Sequence, residues 1–300
     1  MHFLAVHDAG NIHGAASMLG LSQPALTVSL RRLEDEVGAP LFERSVKGVE
    51  PTAAGRLLYR HACAMRSAAL HAGEELGALR SGESGTLRIG AGVAWSTTVL
   101  PRVLRDMRAA YPSLTIDLVT GVGDQLAAQF AEGRIDLLLV AGALPGLDVA
   151  GGLRRELLVN LPMELVVDRA HPLTGKGPVK VADLARHDWV GFYDDDSFVR
   201  LANLLVARHG VAAPRIAMRA NSVAALTTFV RGTDLIMVVI SSLAAAVRGE
   251  DLVSLPLAEP LWDMPVSLCY RDIVSSRPPV REFIGRLRHE IGLYAGQAGT

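Results

Sequence analysis

Two cysteines in 300 residues, Cys63 and Cys269, are too few and too far apart for a disulfide framework, and neither has a Cys or His neighbour at metal-ligand spacing. They read as reduced structural thiols of a reducing compartment. Long apolar runs are missing: no stretch approaches the roughly 18 consecutive apolar residues of a membrane-spanning helix. The opening "MHFLAVHDAGNIHG" has polar and glycine breaks where a secretory leader would be continuous. The expected location is therefore the cytoplasm, with no membrane partner. Charge of one sign is also lacking. With 30 Lys and Arg against 31 Asp and Glu the net charge is −1, so any surface for a polyanion has to be local. There is no "GxSxG", "HExxH" or P-loop, which removes the familiar nucleophile, zinc and nucleotide machinery. The nine histidines are scattered, and His171 in "HPL" reads as a loop residue rather than a base. No catalytic residue, metal or cofactor is expected.

What is present is apolar and patterned. Hydrophobic residues make up 50% and charged residues 20%, the balance of a globular chain. At about 100–200 residues per domain there is room for two or three units. Over residues 2–60 apolar positions recur at helical spacing: Phe3, Leu4 and Val6 for one helix, and Ala15, Ala16 and Leu19 for a second ended near Gly20. Residues 52–80 contain no proline, and Leu58, Ala62, Met65, Ala69, Ala72, Leu76 and Leu79 step by four and three. That is a heptad seam, and Leu58, Met65, Ala69, Ala72, Leu76 and Leu79 are its expected dimer contacts. The alternative is a helix packed on its own domain. "SGESG" then breaks the helix and forms a hinge.

Beyond the hinge, strand patterns ("TLRIGAG", "LTIDLVTG", "IDLLLVAG") alternate with helical stretches at 97–111 and 124–132. A second set follows: "MELVVD", "HDWVGFY", a helix at 197–209, "RIAMRANS", a helix at 223–231 and "DLIMVVI". "MPVSLCY" and a last helix over 279–295 complete it, leaving "GQAGT" as a loose tail. This rhythm predicts βαβ units around a parallel sheet.

The stretch "LSQPALTVSLRRLEDEVGAPLFER" carries the chemistry. Ser22 suits an N-cap and Pro24 falls in the first turn, where its missing N–H costs nothing. Leu26, Leu30, Leu33 and Val37 form one apolar stripe, while Gln23, Pro24, Thr27, Val28, Arg31 and Arg32 fall to the other side. Preceded by "GAASMLG" and the turn "LGLS", this is a helix-turn-helix whose second helix would enter the major groove. Gln pairs with adenine, a Thr hydroxyl serves several bases, and arginines meet phosphate or guanine. The bland alternative is a small bundle with a solvated charged face.

"AASMLGLSQPALTVSLRRLEDEVGAPLFERS", followed by "TAAG", resembles the N-terminal winged helix-turn-helix of LysR-type transcriptional regulators. "SQPA", "LRRLE", "G-x-P-LFER" and "T-x-A-G" together are specific, and the similarity continues, more loosely, along the whole chain. The resemblance implies an α/β architecture of three parts. Residues 1–58 would form the winged helix-turn-helix and 59–85 the linker, dimerisation helix and hinge. Residues 86–300 would form an effector domain like type 2 periplasmic binding proteins, with one subdomain about 86–161 and 266–300 and the other about 162–265. It matches Gln23, Pro24, Ala25, Thr27 and Arg31 to groove-facing positions and Arg44 and Lys47 to the wing; Ser22, Val28 and Arg32 on the same outward side complete the expected DNA contacts. It also implies double-stranded operator DNA, a small-molecule effector, a second copy of the chain (homodimer or homotetramer) and RNA polymerase as partners.

Val28 departs from the family, which often has a basic residue there; it can touch a thymine methyl but no guanine edge. His13 and Gly14 replace small hydroxyl and basic residues, and the first helix starts short. Glu34, Asp35, Glu36, Glu43 and Glu50 balance the local positive charge.

In open α/β sheets ligands bind beyond the strand ends. There the sequence offers Trp95, Ser96, Thr97 and Thr98, then Gly121, Val122 and Gly123, Ala141 and Gly142, Phe192 and Tyr193, and Asn221 with Ser222. Ser96 would either meet the effector or cap its helix. Asp194, Asp195 and Asp196 read as a solvated helix start rather than a metal site. A small organic acid is the expected effector. Two alternatives compete: an α/β enzyme, which lacks machinery, and a solute-binding protein, which would have no use for "SQPALTVSLRRLE".

Overall fold

A computed structural model of the chain describes residues 1–45, 48–81, 85–142, 153–193 and 196–298. The chain divides into two compact units, residues 1–73 with 131–133 and residues 74–130 with 134–300, so the division falls within one long helix.

The first unit opens with α1 (His2–Ala9), α2 (Ile12–Leu19) and α3 (Gln23–Val37). A hairpin of β1 (Phe42–Ser45) and β2 (Gly48–Pro51) follows, then α4 (Ala53–Ser81). Gly10, Gly20 and Gly38 end the three helices in the left-handed conformation, where glycine pays no Cβ penalty. The helix starts are capped by side chains: Asn11 Oδ1 accepts the Gly14 N–H at 2.6 Å, and Thr52 Oγ1 accepts that of Gly55 at 3.0 Å. Phe3, Leu4, Val6, Ala15, Ala16, Leu26, Leu30, Leu41 and Cys63 form the core. Val37, expected on the buried stripe, is the last residue of α3 and is exposed. Tyr59 fastens α4 to α1, its hydroxyl donating to Asp8 Oδ1 at 2.8 Å while His7 stacks on its ring at 3.5 Å. Burial pushes the Tyr59 phenol up and the His7 imidazole down from their ordinary values.

The second unit contains β3 (Thr86–Gly92), α5 (Val93–Thr97), α6 (Leu100–Ala110), β4 (Thr115–Gly121), α7 (Gly123–Ala131) and β5 (Leu137–Ala141). Next come β6 (Leu153–Asp168), α8 (Val181–Leu184), β7 (Trp189–Phe192), α9 (Asp196–Arg208), β8 (Ile216–Ala220) and α10 (Val223–Val230). It ends with β9 (Ile236–Ile240), α11 (Ser241–Val247), β10 (Leu252–Leu255), β11 (Asp263–Arg271), α12 (Asp272–Ser275) and α13 (Pro278–Ala298). The strands lie in the order β4-β3-β5-β11-β6-β9-β7-β8, with β10 also on β6. The parallel pairing expected from the βαβ rhythm is found for β3 with β4 and β5, and for β7 with β8 and β9. β6, β10 and β11 depart from it and pair antiparallel, β11 filling the place between β5 and β6.

Where the sequence predicts one helix over 97–111, the chain makes two, broken at Thr98. Pro101 in the first turn of α6 is the reason, since proline is accepted there and not in a helix interior. Among the described residues no helix is long and apolar enough to cross a membrane.

Candidate DNA-reading helix and ligand cleft

The α3 helix divides cleanly by side. Leu26 and Leu30 are buried against α1 and α2, while Ser22, Gln23, Pro24, Ala25, Arg31 and Arg32 are exposed. Val28 is 66% exposed, a large apolar side chain left in water beside the polar ones. Thr27 is half-buried and its hydroxyl donates to the Gln23 carbonyl at 2.9 Å, so its methyl is the freer end. Ser22 accepts the Ala25 N–H at 3.4 Å, a long cap that leaves the first turn's remaining N–H groups near the helix tip. The basic pair divides as well. Arg32 faces Glu36 at 3.3 Å, and Arg31 has no ion-pair partner among the described residues.

Glu34 has a different task from charge balance. Its Oε1 accepts the N–H groups of Leu41 at 2.7 Å and Phe42 at 3.3 Å, fixing the turn into the hairpin. The hairpin is held from the other side by Gly48, where the Val49 N–H donates to Gly10 O at 3.0 Å. A Cβ on Gly48, at φ 133°, would lie 2.4 Å from that oxygen. In the hairpin register Arg44 stands opposite Val49. Lys47 and the side chain of Arg44 lie outside the described residues.

Along α4 the heptad residues separate. Leu58 packs into its own unit's core together with Ala62, because the first turns of α4 cover α1; it is not an open dimer contact. Met65 (73% exposed), Ala69, Ala72 and Leu76 (63% exposed) form one open stripe, with Leu79's side chain outside the described residues.

In the second unit one cleft opens at the strand ends, about 960 Å³ with its open mouth. Gly92, Val93, Ala94 and Trp95 line it from the β3–α5 junction, and Gly121, Val122 and Gly123 from the β4–α7 junction. Facing them are Val190, Gly191 and Phe192 of β7, Phe198 of α9, Leu226 of α10 and the end of β9. Met163, Met237 and Met264 also line it.

Trp95, Gly121, Val122 and Phe192 are thus brought together at the cleft. Ser96, Thr97 and Thr98 are not among its lining residues. Their hydroxyls turn back onto their own helix: Ser96 donates to Val93 O at 2.7 Å, and Thr97 and Thr98 donate to Ala94 O at 3.1 and 2.7 Å. Ser96 is not a cap either, since Gly92 holds the N-cap position of α5. Gly142 is buried away from the lining, its N–H donating to Pro265 O at 2.8 Å, and Asn221 and Ser222 are exposed outside the cleft. Asp194 and Asp195 lie outside the described residues, and Asp196 begins α9. The methionines and Phe198 were not foreseen, because an apolar residue in a strand or helix reads as core until the connections are known. Among the described residues no group of three His, Cys, Asp or Glu side chains could hold a metal ion.

Two family models match the chain. The model described as bacterial regulatory helix-turn-helix protein, lysR family, matches residues 1–56, and the LysR substrate binding domain matches residues 80–292. The HTH-type transcriptional regulator GbpR of Azospirillum brasilense is 34% identical over 189 residues, which covers 63% of this chain and 55% of that protein. GbpR of Rhizobium radiobacter is 28% identical over 91% of this chain and 90% of its own length. Among solved structures, full-length CbnR complexed with its target DNA is 26% identical with a TM-score of 0.52, covering 97% of both chains.

Proposed function

We propose, from the premise that this chain belongs to the LysR family of DNA-binding transcriptional regulators, that it reads an operator through the N-terminal half of α3. Residues 1–58 would act as the DNA-binding part, 59–85 as the dimerising linker and hinge, and 86–300 as the effector-responsive part. The observation that carries the DNA reading is the split of α3. Leu26 and Leu30 are buried on one side, while Gln23, Pro24, Val28 and Arg31 stand in water on the other. Two such helices, joined through the open stripe on α4, would meet successive major grooves about one DNA turn apart. The wing residues Arg44 and Lys47 would add phosphate contacts, and RNA polymerase is the partner that would read the outcome. The cytoplasm is where such a regulator meets its operator. The similar proteins named above are transcriptional regulators, and no enzymatic step is part of this reading.

The effector would bind in the cleft of the second unit and bias an existing equilibrium between subunit arrangements. A small organic acid is not adopted as that effector, since no Lys, Arg or His is among the described residues lining the cleft.

Fluorescence anisotropy on the DNA upstream of the chain's own coding region tests base readout. Gln23→Ala should lose about 1–3 kcal/mol of discrimination at one base pair per half-site. An equal loss on every DNA sequence would argue against reading of bases by this residue.

A further inference from the structure

We infer that the cleft of the second unit takes an uncharged aromatic molecule of one or two rings. The inference rests on the reading of this cleft as the effector site and names what that site selects. Every described lining side chain is apolar or aromatic, so the polar groups available to a ligand are those of the main chain and the Trp95 indole. Trp95, Phe192 and Phe198 offer ring faces and edges at which a flat ligand stacks. Met163, Met237 and Met264 supply unbranched, polarisable side chains that re-pack around rings of different outline.

A carboxylate entering these walls would lose its hydration and gain no cation, an exchange that strongly opposes binding. Helix starts do not rescue it. Val93–Thr97 is a single short turn, and a helix start such as that of α7 at Gly123 favours a nearby anion only modestly, too little to offset the lost hydration. One hydroxyl or carbonyl on the ligand, by contrast, needs one main-chain partner, and the glycines at 92, 121 and 123 let the backbone come close.

Isothermal titration of the full chain with matched pairs tests the inference: 2-naphthol against 2-naphthoate, and benzyl alcohol against benzoate. Val122→Trp, a half-buried position at the cleft wall on a connection rather than in a strand, serves as the blocking variant, its fold checked by circular dichroism. The neutral member should saturate below about 1 mM, bind at least about tenfold tighter than its acid, and lose binding in the variant. If the acid binds as tightly or more tightly and the variant abolishes it, the neutral class is overturned while the cleft stands as the effector site. Binding that the variant leaves unchanged overturns the effector-site reading as well. No saturable binding of either neutral probe to the folded wild-type chain also overturns the inference.

Discussion

A methyl group on Gly55 would lie 2.1 Å from the carbonyl oxygen of Leu41, the same oxygen that accepts the Thr52 N–H at 3.0 Å. The "T-x-A-G" string is therefore a packing instruction. Thr52 caps α4, donates its hydroxyl to Pro40 O at 2.7 Å, and the helix then passes too close to the preceding turn for any side chain at 55. Gly55→Ala should cost at least about 2 kcal/mol in chemical denaturation. Gly73→Ala, in the same helix with nothing within 4 Å, should instead stabilise by about 0.5–1 kcal/mol. Equal effects at the two positions would refute the contact. His171 gives a pH signature. Its Nδ1 accepts the Leu173 N–H at 3.1 Å and its Nε2 meets Asp234 O at 3.1 Å, with the His187 ring 4.7 Å away and Asp168 nearby. Burial holds its pKa below the ordinary 6.5. The unfolded chain then takes the proton first, so stability present above about pH 6.5 is lost as the pH falls below it. Denaturation at about pH 7.5 and 5.5 should show a smaller loss for His171→Asn, which keeps an acceptor for Leu173, than for the wild type. At this scale the sequence was readable where a residue has a local task, as with Ser22, Pro24 and Gly20. It misled at Ser96, because a hydroxyl suited to a cap is equally suited to bonding the carbonyl three residues back.

The long helix α4 was legible because its period-seven stripe needs no tertiary information, though it starts at Ala53, capped by Thr52, ahead of the linker bounds of 59–85. What the period could not say is where one task ends and the next begins: the turn holding Leu58 serves its own core, and from Met65 onward the stripe is open. Ala69→Arg is placed on that open stretch, so the fold should survive while association fails. Light scattering should report a change from dimer to monomer at micromolar concentration, and an unchanged dimer would remove α4 as the interface. Strand β6 was legible over its second half alone. "MELVVD" is continuous and buried, whereas "LRRELLVNLP" mixes exposed and half-buried positions and ends in a proline that a central strand rarely admits. Pro162 is tolerated because it stands opposite Asp263 at the outer end of the β11 ladder.

For the molecule as a whole, net charge does little of the work. Each neutralised phosphate contributes about 0.9 to the salt slope, so Arg31, Arg32, Arg44 and Lys47 from two subunits allow a slope no steeper than about −7. A steeper dependence of log affinity on log salt would mean that other cations touch the DNA. The family was visible from four short motifs, whereas the hinge expected at "SGESG" falls mostly outside the described residues and the two compact units divide earlier, inside α4 between residues 73 and 74. The cleft was half visible: strand ends pointed to Trp95, Gly121, Val122 and Phe192, yet its chemistry lies in side chains such as Met163 and Met237 whose company depends on topology. The same topology bears on how this chain tolerates nonsense mutations. β11 sits between β5 and β6 although it is made near the end of synthesis, and β6 serves β11 with its first half and β9 and β10 with its second. A stop codon ahead of Asp263 would leave the apolar edge of β5 and the facing edge of the first half of β6 unpaired in the middle of a sheet, a template for aggregation rather than a shortened regulator. Such alleles should yield inclusion bodies and no dominant-negative DNA binder.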